Sequence, residues 1–514
     1  MKLLHQTPFL RVLLFFILGI VIQSYWDFTP FFLFAGVLSF FIIALSYVPN
    51  LNKQYNFRFL FGWGFSFFLF VIATYSTKLT WEKSEWKIEP VVHLYEGRVI
   101  EEPILKPKTY LCKIRIVSAE EAIYKDVVDK KVVIYLPIDT FSKTVAVGET
   151  LSFYGQFEQS PLYLQKKSFA AIGFIRQKHW FLKQDSNRSF SILEKSLSIR
   201  RILLDRLQKI IPDHSTYSIA SALMFGYKDE LDKDLQQSFA NIGASHVLAV
   251  SGLHFAIVFG MVYFMLSFLG NSLEGRLIKQ LVVFPLLWGF AFITGFSPSV
   301  VRAALMLTVW GIGNAFFYKS FTLNTVAIAA FFMLLFNPLY LFDVGFQLSF
   351  MAVVSIILVN PYLNRLYESK NPMIKYVWEL CCVSVSVQTG VLPVSAYYFH
   401  QISLLFLITN LCVIPLVTIL LFLIPFSLLF DALFGNIPAL MYPLNKGLEL
   451  FLSTVRFLDE IPYGSIHSID INFREMTVWF IAMILILLIF IKKRIFYLYL
   501  LLILIVCEGI YSFY

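Results

Sequence analysis

Between Leu235 and Leu273 the chain carries no Asp, Glu, Lys or Arg, yet His246 and His254 sit inside the run. About 20 apolar residues cross a bilayer core, so a stretch this long restricts the chain to membrane spans or deep burial. The pattern repeats downstream. Residues 280–301, 303–318, 320–342 and 344–364 hold no charged side chain and are separated only by Arg302, Lys319 and Asp343; residues 380–430 form another such run. Hydrophobic residues make up 58% of the 514 and charged ones 15%, with a mean hydropathy of +0.71. A soluble domain carries about 25% charged residues. The expectation is a polytopic α-helical membrane protein of about ten to twelve spans. Several spans are expected to be broken by Gly or by Pro393, Pro415 and Pro425, as happens where helices line a path.

Three apolar spans fill residues 1–80, with Lys2, Arg11, Lys53 and Arg58 on one side of the predicted bilayer. Positive residues stay cytoplasmic, which puts the N-terminus inside and the chain after the third span outside. Arg11 interrupts the first span and no small-residue cleavage site follows it, so it reads as an anchor rather than a cleaved signal. Lys492-Lys493-Arg494 marks a cytoplasmic turn between two last spans in residues 475–514.

From 86 to 183 the composition changes. Leu111–Val117 and Lys131–Leu136 alternate apolar and polar residues, with turn signals such as Glu101-Glu102-Pro103 between such runs. Period-two alternation at this spacing predicts an inserted small β-barrel, OB-like and extracytoplasmic. Residues 188–240 follow as amphipathic and connecting helices, the first over Phe190–Ile211 and ended by Pro212. Most of the chain's net +9 lies between Ser160 and Ile210, where eleven Lys/Arg face three acids. Anionic lipid headgroups or a polyanion would both match that patch.

Polar groups inside hydrocarbon need partners and usually face protein or a wet path. His246, Ser251, Gly252 and His254 fall in one apolar segment, where Gly252 predicts a kink or re-entrant turn. The same residues also suit plain helix packing, since Gly and Ser allow close approach. Arg302 lies within a hydrophobic stretch and Asp343, the one acid between Glu274 and Glu368, is its expected counter-charge. Asp343 and Gln347 are spaced i, i+4, one helical face. Gln388 and Asn410 are lone amides expected to hydrogen-bond other helices. Cys112, Cys381, Cys382, Cys412 and Cys507 show no CxxC spacing, and neither they nor the histidines suggest a metal site or disulfide framework. No cofactor is implied.

Four segments taken in order, Ala222–Gly226, His246–His254, Thr294–Ala303 and Asp343–Phe350, resemble the ComEC family of competence proteins, inner-membrane channels that import transforming DNA. The resemblance implies that residues 241–470 are a competence-type channel domain passing single-stranded DNA to the cytoplasm. His246, Ser251, Gly252, His254, Arg302, Asp343 and Gln347 would line or gate the path. In the OB-like domain and just after it, Lys166, Lys167, Arg176 and Lys178 would attract the DNA backbone. Tyr110, Tyr124, Tyr135, Phe153, Tyr154, Phe157 and Tyr163 would either stack bases or fill the domain core. Implied partners are single-stranded DNA, the lipid bilayer, a periplasmic DNA-binding competence protein and a cytoplasmic helicase or translocase. Many family members carry a metallo-β-lactamase-like domain; its His-x-His-x-Asp-His cluster does not occur here, so no enzymatic activity is expected and a separate nuclease would degrade the second strand.

Three other readings compete, one of them an assembly scaffold without a path, in which charge-neutral changes at Arg302 or Asp343 would alter stability only. An intramembrane hydrolase would use Ser251 as nucleophile and His246 or His254 as base. A secondary transporter of an anionic envelope precursor would hold a phosphate or carboxylate at Arg302, and inverted repeats would support it.

Overall fold

A computed structural model describes residues 7–46, 59–86, 91–120, 127–139, 142, 145–165, 169–176, 179–183, 192–248, 250–316, 322–435 and 437–513. The chain divides into two compact units, one of residues 1–201 with 308–343 and one of residues 202–307 with 344–514. Among the described residues, seven helices are long and apolar enough to cross a membrane, and shorter apolar helices accompany them. The protein is an integral membrane protein.

In the first unit, α1 (Pro8–Tyr25) packs against α3 (Phe59–Ser84), and α2 (Phe32–Ser46) against α3. Gly19 makes the first pairing possible: a Cβ there would come within 2.6 Å of the Phe70 carbonyl oxygen and 2.9 Å of the Ala73 Cβ, the close approach that small residues permit between membrane helices. Phe16 meets Phe331 edge-on at 5.1 Å, and the Phe9 amide donates to Asn324 Oδ1 at 3.0 Å.

The β domain of that unit comprises β1 (His93–Val99), β2 (Ile104–Leu105), β3 (Thr109–Ala119), β4 (Lys131–Pro137), β5 (Thr150–Gly155), β6 (Phe157–Gln159), β7 (Ala171–Phe174) and β8 (Trp180–Lys183), with a single-turn α4 at Leu162–Gln165. The strand order is β6-β7-β4-β3-β1-β5-β8, with β2 on β3. All ladders are antiparallel except β4 with β7. Alternation buries Cys112, Ile114 and Ile116 of β3 against Ile134 and Leu136 of β4, and Phe153 and Phe157 complete the core. Among the described residues the ladder is an open path ending at β6 and β8, so the closed barrel expected from the sequence is not seen. Alternation fixes which face of a strand is buried, whereas closure depends on which edges meet.

The basic amphipathic helix, α5 (Ile192–Ile210), begins and ends close to the expected positions. Its N-terminal half belongs to the first unit, where Arg200 pairs with Glu102 and the Glu194 carboxylate fills the space that bare Gly148 leaves open. In the second unit Leu204, Leu207 and Ile210 enter a core shared with α6 (His214–Phe225), α7 (Lys233–Asn241), α14 (Phe406–Phe434) and α15 (Pro438–Asp459). Leu197, Leu204, Leu207 and Ile210 of α5 are therefore covered by protein, whereas Ile192, Ile199 and Ile202 stay exposed beside Lys195, Arg201, Arg206 and Lys209.

The rest of the second unit consists of α8 (Gly252–Met265), α9 (Leu273–Ile293), the first half of α10 (Pro298–Phe316), α12 (Val344–Leu363), α13 (Pro372–Phe399), and the hairpin of α16 (Phe473–Lys492) and α17 (Ile495–Phe513); α11 (Thr322–Phe336) lies in the first. Helices α12 and α13 approach closely at Gly390, where a Cβ would collide with Ser355 Oγ. Pro393, Pro415 and Pro425 do not interrupt their helices, contrary to expectation: α13 and α14 run through them. Neighbouring helices re-satisfy the backbone groups that a buried proline frees. Breaks between helices occur instead at residues such as 242–248, 294–297 and 367–371. A two-stranded ribbon pairs β9 (Gln401–Ser403) with β10 (Ser465–His467).

Candidate functional site

The histidine motif is a break between helices. Gly243 takes a left-handed φ of +77°, the next residues turn, and α8 starts at Gly252. His246 and His254 thus do not share a helix. Ser251 is the N-cap of α8: its Oγ accepts from the Leu253 amide at 3.3 Å, and its own amide donates to His254 Nδ1 at 3.3 Å. Ser251 Oγ also lies 3.0 Å from that nitrogen. With Nδ1 accepting, the neutral ring carries its proton on Nε2. His254 is fully buried and Nε2 has no hydrogen-bond partner among the described residues. A buried donor left over in this way calls for water or a ligand. His246, by contrast, is exposed.

Other motifs converge on the same loop. Ser299, in the first turn of α10, donates its hydroxyl to the Val250 carbonyl at 2.8 Å. Pro298 opens that helix, where its missing N–H costs nothing, after two left-handed residues, Gly295 and Phe296. A Cβ on Gly252 would stand 3.9 Å from the Ala303 Cβ, and one on Gly226 would stand 3.4 Å from Val250 Cγ2. Gly243 presses on Ser403 and Phe406 at the start of α14. The N-terminal ends of α8, α10 and α14 therefore gather round residues 243–252. Each helix start carries roughly half a positive elementary charge, so the site favours anionic groups without a cluster of Lys or Arg. Ser403 Oγ and Thr409 Oγ1 join His254 Nε2 as buried polar atoms with no partner among the described residues.

The remaining predicted residues lie as follows. Arg302 is buried on α10, one turn beyond Ser299. Asp343 ends the first unit and takes extended backbone just before α12, so it stands at the helix end rather than on a face shared with Gln347. Gln347 is half-buried in the first turn of α12. Asn410 donates to Ser384 Oγ at 3.1 Å, linking α14 to α13. In the β domain Arg176 is exposed, while Lys166, Lys167, Lys178 and Tyr124 lie outside the described residues, as does the side chain of Tyr163. Phe153 and Phe157 are core residues packed on Tyr95; Tyr110 and Tyr135 are half-buried and Tyr154 is exposed. Sequence reasoning missed Ser299 and Ser403. The Ser-Pro-Ser run at a helix start was the available signal for Ser299; Ser403 acquires its place only by pairing with a strand more than sixty residues away.

Comparison with known proteins fits this arrangement. The family model described as "Competence protein" matches residues 223–494. The chain is 31% identical over 244 residues to ComE operon protein 3 of Bacillus subtilis, covering 47% of this chain and 30% of that protein. It is 26% identical over 266 residues to Recombination protein 2 of Haemophilus influenzae, 48% and 33% of the two chains. An uncharacterized protein of Aquifex aeolicus is 30% identical over 218 residues, 42% and 49% of the two chains. The chain thus spans less than half the length of these relatives. No solved structure matches it. The model covers more than half of the chain and includes the loop on which the helix starts converge, and the protein belongs to the ComEC family of competence proteins.

Proposed function

We propose that the protein is a channel in the bacterial inner membrane that passes single-stranded DNA into the cytoplasm during natural transformation. The observation that carries this reading is the meeting of three helix starts around residues 243–252, within apolar helices, beside a buried His254 Nε2 with no partner among the described residues. Helix dipoles and lone hydroxyls attract a phosphodiester without gripping it, and conduction needs binding weak enough to release. His246, Ser251, Gly252, His254, Arg302, Asp343 and Gln347 line or gate the path. The β domain stands outside, by the positive-inside argument, and Lys166, Lys167, Arg176 and Lys178 draw the strand in by charge. The N-terminus is cytoplasmic. The channel is not itself an enzyme; a periplasmic DNA-binding protein, a cytoplasmic helicase or translocase and a separate nuclease supply the other steps.

The hydrolase reading draws on the 3.0 Å separation of Ser251 Oγ and His254 Nδ1. That contact is local capping geometry between residues three apart, and no acid is bonded to Nε2 among the described residues. A general base with no orienting partner is a poor activator.

A deletion strain given labelled DNA tests the channel. Periplasmic accumulation without cytoplasmic entry, restored by the wild-type gene, is the expected result. Unchanged transformation in the deletion strain overturns the proposal.

A further inference from the structure

The β9–β10 ribbon is too short to stand alone. It is held by the Leu404 amide on the Gly464 carbonyl at 2.9 Å and the Ile469 amide on the His400 carbonyl at 3.1 Å. In its register Ser465 faces Ser403, Ile466 faces Ile402 and His467 faces Gln401. Strand alternation then gathers Gln401, Ser403, Ser465 and His467 on one face and the two isoleucines on the other. Three side-chain-bearing residues beside the ribbon, His400, Tyr463 and Ser468, have φ between +54° and +61°. Such backbone is costly away from glycine and tends to accompany functional sites.

Tyr463 is 91% exposed, more than any other large apolar side chain among the described residues. Its ring stands at a recess of about 280 Å³ that Asn241, Asp459, Ser465 and His467 also line. The Asp459 carboxylate is held in place, accepting from Ser238 Oγ at 2.6 Å and Asn241 Nδ2 at 2.9 Å. No Lys or Arg lines the recess, and a fixed carboxylate repels phosphate. Ser465 Oγ and His467 Nε2 bond each other at 2.8 Å. This paired hydroxyl and imidazole, with His467 Nδ1 still open among the described residues beside the Tyr463 ring, suits a flat, uncharged ligand bearing hydrogen-bonding edges. The recess adjoins the histidine motif, because Ser403 is the residue on which Gly243 presses.

We infer that this recess seats one unpaired nucleobase, stacked on Tyr463 and read at its edge by Ser465 and His467. The inference rests on the channel reading and adds to it: the strand is engaged through a base at the rim and through its phosphates at the helix starts. A duplex, with its base edges paired, is refused.

Purified full-length protein in nanodiscs, mixed with a 5-iodouracil oligonucleotide and irradiated, tests the seat. Crosslinks to Tyr463 or the ribbon are expected from single strands and not from duplex. Tyr463→Ala is expected to weaken single-strand binding about tenfold, Tyr463→Trp to preserve it, and His467→Ala to lower crosslinking without unfolding the exposed ribbon. If wild type supports DNA entry but Tyr463→Ala and His467→Ala leave binding and crosslinks unchanged, the seat is wrong and the channel stands. If wild type neither binds single strands nor supports entry, both fail.

Discussion

Ser299 donates its hydroxyl to the carbonyl of Val250 across 2.8 Å, tying the start of α10 to the loop ahead of α8. Val250 and Ser299 belong to different sequence motifs, and this bond sets two helix ends side by side. Ser299→Ala strands the carbonyl, at a cost of about 1–3 kcal/mol for an unsatisfied buried group. The expected result is a lower melting temperature in detergent together with reduced DNA entry. Ser299→Thr keeps the hydroxyl and is expected to retain both; loss of neither in Ser299→Ala would show that the bond does not hold the site.

Ser251 and His254 separate a channel from a hydrolase. Ser251→Ala removes an N-cap worth about 1 kcal/mol but leaves the path open, so DNA entry is expected to fall only a few-fold. His254→Leu removes the buried Nε2 donor and is expected to reduce entry further while the protein still accumulates in the membrane. A Ser251→Ala protein devoid of all function despite normal accumulation would favour the hydrolase.

The uncharged runs and the alternation of Leu111–Val117 and Lys131–Leu136 were legible because burial in lipid or in a sheet core imposes a period on the sequence itself. The former appear as apolar helices and the latter as paired strands β3 and β4. Ser251 and His254 stood out for a similar reason, as polar atoms in an apolar run, but their mutual contact at the start of α8 did not. What the sequence hid depends on distant partners. Nothing local announces that Gln401–Ser403 pairs with Ser465–His467. Nor does the stripe of α5 reveal that protein covers Leu204 and Leu207 while Ile192 and Ile199 stay exposed. Proline's local preference misled at Pro393, Pro415 and Pro425, because tertiary packing outweighs it there.

Asp213 caps α6 by accepting from the Thr216 amide at 2.9 Å and the Thr216 hydroxyl at 2.9 Å. Those bonds, the amide first, hold its carboxyl below the usual aspartate range. A depressed folded value means the stabilisation is present above the unfolded value of about 3.9 and is lost as pH falls through the folded one. Asp213→Ala is therefore expected to cost about 1 kcal/mol at pH 7, with the gap from wild type closing in strong acid. Asp213→Asn, which keeps an acceptor without titrating, is expected to remain close to wild type at pH 7. Thermal melts across pH check both, and a gap that widens in acid would contradict the assignment.

Gly390 offers a test of helix packing that is independent of function. An added methyl would meet Ser355 Oγ at 2.0 Å, its Cβ at 3.2 Å and the Met351 carbonyl oxygen at 3.1 Å. The hydroxyl can rotate away, but the backbone oxygen of α12 cannot, so Gly390→Ala must push α12 and α13 apart slightly. Overpacking of this kind costs about 1–3 kcal/mol. Ser355→Ala removes the nearest obstacle, and the double variant Gly390→Ala, Ser355→Ala is expected to recover part of the loss, leaving the share due to the Met351 carbonyl and the retained Cβ at 355. The two changes should be non-additive, as contacting residues are. Unfolding in detergent measures the cycle; simple additivity would mean that the helices do not meet at this pair.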